Sequence, residues 1–170
     1  MAAIPDRVLV LGLARSGRAA VTALRTQGAN VTAHDTNPDL DGAVVEADVH
    51  LGAWDDALLE GIDLVVKSPG IPTTAPPVAA ASARGIPVIS EIELGARLLE
   101  NPIIGITGTN GKTTTTALLG AMFDAAGVPA EVAGNIGRPL TSLVGSISPE
   151  TWVVCELSSF QLEDVETLHC

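Results

Sequence analysis

The sequence predicts an α/β protein built as two units in tandem, and three observations carry that prediction. Short apolar, β-branched runs alternate with segments of good helix formers along all 170 residues, which is the pattern of parallel strands joined by crossover helices. Glycines fall at the junctions where one element gives way to the next. Near the middle, Asn101-Pro102 breaks the alternation, because a proline ring disfavours helical backbone in the residue before it; beyond it the alternation restarts.

Taken in order, residues 7–11 form an apolar strand stopped by Gly12, and residues 16–27 a helix ended by Gly28. Residues 30–35 read as a second strand terminating in an acid, 49–51 as a short strand, 55–59 as a short helix, and 64–67 as a firmer strand closed by Ser68-Pro69-Gly70. Pro76 and Pro77 suit the first turn of a helix over 76–84, where a missing N–H costs nothing. A strand over 86–89 and a helix over 91–99 complete the first unit and lead out of it. Beyond the break come a strand (103–107), a glycine loop (108–111), a helix (112–126) ended by Gly127, a strand (130–133), a helix (139–144) and a strand (152–155). Such alternation implies parallel sheets covered on both faces. Only about three strands follow residue 103, where a sheet usually has about five or six, so residues 1–170 are expected to be the front part of a longer polypeptide.

Composition narrows the partners. Nine Lys and Arg against 20 Asp and Glu give a net charge of -11, which leaves little basic surface for nucleic acid or an anionic bilayer; no nucleic acid and no membrane insertion are expected. A hydrophobic content of 46% supports a core, and with two Trp, two Phe and no Tyr it must be built from Ala, Val, Leu and Ile. No apolar stretch approaches the roughly 20 residues of a membrane span, and residues 1–7 lack the apolar run of a signal peptide, so a cytoplasmic monomer is expected. Cys155, inside an apolar run, and Cys170 have neither metal-ligand nor disulfide spacing; Cys155 reads as a small buried hydrophobe. His34, His50 and His169 do not cluster with acids and are expected at the surface or at strand ends, and Arg97 and Arg138 are expected to be solvated.

The strongest chemical signal is Gly105-Ile106-Thr107-Gly108-Thr109-Asn110-Gly111-Lys112-Thr113-Thr114, which follows an apolar strand and opens a helix, the context of a phosphate-binding P-loop. Its glycines let successive N–H groups of Gly108, Thr109, Asn110 and Gly111 curl round an anion, the helix start adds positive dipole, Lys112 supplies a point charge, and the Thr113 hydroxyl can ligate Mg2+. Ile106 stands where the usual pattern has a glycine. Downstream, Glu156 ends an apolar run, at the strand edge where parallel sheets bind ligands, and is the natural second Mg2+ ligand.

With these motifs in place, the chain resembles the Mur ligases, ATP-dependent amide-forming enzymes of peptidoglycan synthesis. The resemblance rests on Thr107-Gly108-Thr109-Asn110-Gly111-Lys112-Thr113-Thr114, on Gly134-Asn135-Ile136-Gly137, and on Glu156-Leu157-Ser158-Ser159-Phe160-Gln161-Leu162-Glu163. The last motif, with Ser68-Pro69-Gly70-Ile71, is most similar to the D-glutamate-adding branch. The resemblance implies a Rossmann-like domain over residues 1–91 that binds the UDP-substrate, followed by the first part of a P-loop ATPase α/β domain over residues 92–170. It implies UDP-N-acetylmuramoyl-L-alanine, D-glutamate and ATP as substrates, with Mg2+. The substrate carboxylate attacks the γ-phosphate of ATP, and the amine of D-glutamate then attacks the acyl phosphate. Lys112 and Asn135 would act at the reacting centre, and Thr113 and Glu156 would hold Mg2+. Arg15, Ser16 and Gly17, Asp35, and Ser68, Pro69 and Gly70 would contact the UDP moiety, while Asn135, Ser158, Ser159 and Gln161 would line the path of the muramoyl-peptide. Ala14 in place of a glycine and Asn37 in place of an arginine depart from the family pattern.

Two other readings compete. The turn from Gly12 to Gly17 with Asp35 imitates part of a dinucleotide fingerprint, as in an NAD-dependent oxidoreductase, but Ala14 breaks the glycine that admits a pyrophosphate closely. A non-catalytic nucleotide-binding module is the reading for the isolated 170 residues, which are expected to be inactive. Ligand binding separates them: the chain should leave NADH fluorescence unchanged while binding UDP-N-acetylmuramoyl-L-alanine, and the reverse result would favour the dehydrogenase.

Overall fold

A computed structural model of the protein describes residues 4–42 and 46–170. The first sheet has five parallel strands in the order β3-β2-β1-β4-β5: β1 (Arg7–Leu11), β2 (Asn30–Asp35), β3 (Asp48–Leu51), β4 (Leu64–Lys67) and β5 (Val88–Ser90). Successive strand residues face opposite sides, so β1 sends Val8 and Val10 into one core and Leu9 and Leu11 into another. Helix α1 (Arg15–Thr26) closes the first core with Val21 and Leu24, and α2 (Pro76–Ala83) closes the second with Val78 and Ala81. Burial on both faces explains why β1 and β4 read as continuous apolar runs rather than alternating ones.

The second sheet has three parallel strands in the order β6-β8-β7: β6 (Ile103–Ile106), β7 (Ala130–Gly134) and β8 (Trp152–Glu156). Helix α4 (Lys112–Ala126) packs along it, and α5 (Ser159–Leu162) follows β8. Here the expected two-sided cover is incomplete. Thr116 is the one buried residue of α4, and Leu118 and Met122 are 60% and 58% exposed, because three strands are too narrow a platform for both flanks of a four-turn helix. The helix expected over 139–144 is a 3-10 turn, Leu140–Leu143. Leu140 and Leu143, three residues apart, both reach the core in that tighter winding, and the Thr141 N–H is drawn away to a carboxylate. No helix among the described residues is long and apolar enough to cross a membrane.

Helix α3 (Glu91–Leu98) joins the two units. Ile92 enters the core of the second unit, whereas Leu94 and Leu98 enter that of the first. Ser90 caps it, its Oγ accepting the Glu93 N–H at 3.2 Å. Two glutamates then stand in the first turn, where the helix dipole favours negative charge, and both are buried. Glu91 Oε1 accepts from Thr141 N (2.7 Å) and Thr141 Oγ1 (2.6 Å). Glu93 accepts from Glu166 N (2.9 Å), Thr167 N (3.0 Å), Thr167 Oγ1 (2.7 Å) and Arg97 Nε (2.7 Å). Arg97 is therefore not solvated: its side chain is 16% exposed, and its second nitrogen pairs with Glu166 at 2.8 Å.

Burial pushes the Glu91 carboxyl above its ordinary value near 4.5. Burial pushes Glu93 the same way, but the Thr167 N–H and the Arg97 guanidinium outweigh it and hold that carboxyl below 4.5. The two therefore act with opposite sign. Glu93, with a depressed folded-state pKa, stabilises the fold above the ordinary range and loses that contribution as pH falls through its folded value. Glu91, with a raised one, contributes fully below about 4.5 and loses it as pH rises through its folded value. Glu93→Gln should cost about 1.5–3 kcal/mol in urea unfolding at neutral pH, the range for hydrogen bonds to a charged group, and should flatten the acid limb of the stability curve. An unchanged acid limb would show that another group controls it.

Candidate nucleotide and metal sites

The first cleft lies at the carboxyl ends of β1, β2 and β4, and the backbone there is laced together. Gly12 N–H donates to His34 O (2.8 Å), Ser68 N–H to Leu11 O (3.0 Å), and Ser68 Oγ to Gly12 O (3.2 Å). The Asp35 carboxylate accepts Leu13 N–H at 2.6 Å and Asn37 N–H at 2.9 Å, which fixes its position. A Cβ on Gly17 would lie 1.7 Å from Gly12 O, so only glycine lets the first turn of α1 sit this close to the end of β1. Ala14 caps α1 without a side-chain bond, and no acid stands in the first turn, so its leading N–H groups keep no side-chain acceptor.

A cavity of about 380 Å³ opens there, lined by Arg15, Ser16, Asp35, Ser68, Pro69 and Gly70 among others. All six belong to the set expected from sequence; Gly17, the seventh member in this unit, acts through packing. A second cavity of about 290 Å³ shares Asp35 and Gly70 and is walled by Leu11, His34 and Ile71. His34, near the end of β2 as expected, is nevertheless buried, edge-on to Trp54 at 5.2 Å between ring centroids.

The second site lies at the same edge of the second sheet. Ile106, Gly134 and Glu156 are register partners across β6, β8 and β7, so the loop after β6, the turn after β7 and the end of β8 converge. Gly111 caps α4 with no side-chain bond and no acid in the first turn, as in α1. Lys112 Nζ folds back onto Gly108 O at 2.7 Å. Gly134, at φ +99°, would place a Cβ 2.2 Å from Glu156 O; that close approach lets Asn135 N–H reach Glu156 O (2.9 Å) and Asn135 Nδ2 reach Glu156 Oε1 (2.8 Å). The other oxygen, Glu156 Oε2, is buried and has no hydrogen-bond partner among the described residues. A buried carboxylate oxygen left unpaired is costly unless a cation meets it, and hard divalent cations take oxygen ligands, so Glu156 fits Mg2+. No group of three or more His, Cys, Asp or Glu stands ready for a metal among the described residues, so Glu156 and the Thr113 hydroxyl would leave most of the coordination sphere to phosphate oxygens and water.

Ser158 opens α5 in a capping box: its Oγ accepts Gln161 N–H at 3.3 Å, and Gln161 Oε1 accepts Ser158 N–H at 2.9 Å. Gln161 is buried and committed to that box, while Ser159 is exposed. Cys155 is buried as expected, and burial pushes its thiol up to about 12.

Sequence reasoning placed Arg15 in the first cleft but missed the contacts that connect the sites. The Arg15 guanidinium donates to Gly137 O, tying the first cleft to the Asn135 turn. Lys67, buried at the end of β4, pairs with Asp164 beyond α5. Neither pair carries a local signal, since each joins residues more than a unit apart in the chain.

Two parallel sheets, each opening an uncapped helix at its carboxyl edge, one of them behind a loop of P-loop pattern, define a tandem α/β protein. More specifically, the chain belongs to the Mur ligase family: residues 6–90 match the Mur ligase MurD-like N-terminal domain, and residues 106–169 match the Mur ligase middle domain. It is 47% identical over 161 residues to the UDP-N-acetylmuramoylalanine–D-glutamate ligase of Solibacter usitatus, covering 94% of this chain and 36% of that protein. It is 47% identical over 173 residues to the enzyme of that name in Myxococcus xanthus, covering 96% and 38%. The chain thus spans a little over a third of the length of these relatives. The crystal structure of a murein peptide ligase from Psychrobacter arcticus shares the fold, with a TM-score of 0.56, 20% identity, and coverage of 96% of this chain and 40% of that one.

Glu156→Gln keeps the shape that meets Asn135 and removes a buried charge with no partner. Thermal melting without Mg2+ should therefore be unchanged or slightly raised, while the rise produced by Mg2+ and ATP should disappear. A variant that keeps the full Mg2+-ATP shift would remove Glu156 from the metal site.

Proposed function

We propose that this chain supplies the UDP-substrate cleft and the phosphate-binding front of the ATP site of a ligase that adds D-glutamate to UDP-N-acetylmuramoyl-L-alanine. Residues 1–91 serve as the UDP-substrate domain and 92–170 as the first part of the ATP domain, acting in the cytoplasm. The observation that carries the reading is Glu156: one carboxylate oxygen bonded to Asn135, the other buried and unpaired, at the strand edge it shares with the P-loop.

In this reading the substrate carboxylate attacks the γ-phosphorus of ATP, whose bond to the bridging oxygen breaks to release ADP, and the amine of D-glutamate then displaces phosphate from the acyl phosphate and gives up a proton to form the amide. The N–H groups of Gly108, Thr109, Asn110 and Gly111, with the first turn of α4 through Thr114, hold the β- and γ-phosphates. Lys112 leaves the Gly108 carbonyl and stabilises charge on the transferred phosphoryl group, which no neutral side chain can do as well in a partly dry site. Glu156 and the Thr113 hydroxyl would hold Mg2+, which would supply charge neutralisation to the phosphates. Asn135, oriented by Glu156, contacts the reacting end of the substrate, and Arg15, Ser16, Asp35 and Ser68 to Gly70 hold its UDP end. Ser158 and Ser159 flank the path between them, and Gln161 holds that segment in shape.

Phosphate release should be measured on the natural gene product with UDP-N-acetylmuramoyl-L-alanine and ATP, comparing D-glutamate, L-alanine and diaminopimelate. D-Glutamate should support turnover, and Lys112→Ala should lower kcat at least 10²-fold, the usual scale for losing one transition-state charge contact. Turnover with another amino acid instead, or near-normal activity of Lys112→Ala, would overturn the reading.

A further inference from the structure

Lys67 is 3% exposed, and nothing in the proposed chemistry uses it. Its Nζ donates to Ile71 O at 3.1 Å, which closes the turn carrying Ser68, Pro69 and Gly70; Ile71 N–H returns a bond to Ser68 O at 3.0 Å. The same Nζ lies 2.7 Å from Asp164 Oδ2. That contact is close but off the hydrogen-bond axis, so charge rather than a directed bond holds it. Asp164 lies three residues beyond Gln161, and its backbone carbonyl accepts from Ser90 Oγ at 3.5 Å; Ser90 is the register partner of Lys67 across β4 and β5. Two residues further on, Glu166 and Thr167 donate to Glu93. One buried ammonium therefore joins the loop that lines the first cleft to the strand-end segment of the second site.

We propose that Lys67 is a positioning residue that couples the two sites: it clamps the turn at 68–71 to Asp164, so that a ligand ordering either segment orders the other. The proposal rests on the function proposed above. A buried charge pair suits this task, because its two arms must be satisfied together; displacing either loop strands a charge in a low-dielectric setting. A ligand that fixes one arm thus removes part of the ordering cost of the second.

Calorimetric titration of the natural gene product tests it, using UDP-N-acetylmuramoyl-L-alanine alone and then with a non-hydrolysable ATP analogue and Mg2+ present. The ratio of the two affinities is the coupling factor. For the unaltered protein it should be at least about 5. In Lys67→Met and in Asp164→Asn it should fall to within about twofold of unity. The double variant Lys67→Met/Asp164→Leu removes both charges together and should recover the melting temperature without recovering the coupling, a split that a merely structural role would not produce. Amide exchange gives a second readout: Lys67→Met should speed exchange at both Ile71 and Thr167. Coupling retained in these variants, or absent from the unaltered protein while both ligands bind, would overturn the role of Lys67 alone. Failure of the unaltered protein to bind either ligand would overturn the function proposed above and this inference with it.

Discussion

Two buried carboxylates in one helical turn set the relation between the halves of this molecule. Glu91 takes hold of Thr141, and Glu93 takes hold of the backbone at 166–167, so α3 grips the second unit at two points while Leu94 and Leu98 anchor it in the first. The grip has a direction. Because Ser90 both ends β5 and caps α3, the helix leaves the first sheet at its ligand-binding edge, and what it grips is delivered to that edge. Arg15 then reaches Gly137, and Lys67 reaches Asp164, contacts that a different exit angle would not allow.

Under the proposed function, a chain of net charge -11 takes up two polyphosphates against its own field. The sites resolve this locally. α1 and α4, the helices that would face phosphate, begin without a side-chain cap and without an acid in the first turn, as does α2, whose start carries prolines that have no N–H to offer; α3 and α5 are capped by Ser90 and Ser158. The amides that other helices spend on their own serines are left for a ligand. Where an acid does stand in the ATP site, at Glu156, one oxygen is occupied by Asn135 and the other is placed for a cation.

Much of this was legible in the sequence, for a physical reason: strands buried on both faces, glycine turns and a P-loop are all written in residues close together in the chain. The helix over 112–126 and the strand over 64–67 match the structure residue for residue. The 3-10 turn at Leu140–Leu143 did not show, because it depends on Glu91, some 50 residues earlier. For the same reason Lys67 looked unremarkable, since Asp164 is brought near only by the docking of the two units; Arg97 had a readable partner four residues earlier in Glu93, but its burial and its pairing with Glu166 also depend on that docking. The site residues with local motifs could be found; those that hold the sites together could not.

The acidity of the two thiols has a practical consequence. Burial pushes the Cys155 thiol up to about 12, and it is sealed inside the sheet, so it is a poor nucleophile. Cys170 is exposed, with its sulfur beside Gly105 on the strand that feeds the P-loop. Within residues 1–170 Cys170 is therefore the accessible thiol, although burial weakens its acidity too. A label attached there would stand against β6 and report on the loop that follows that strand.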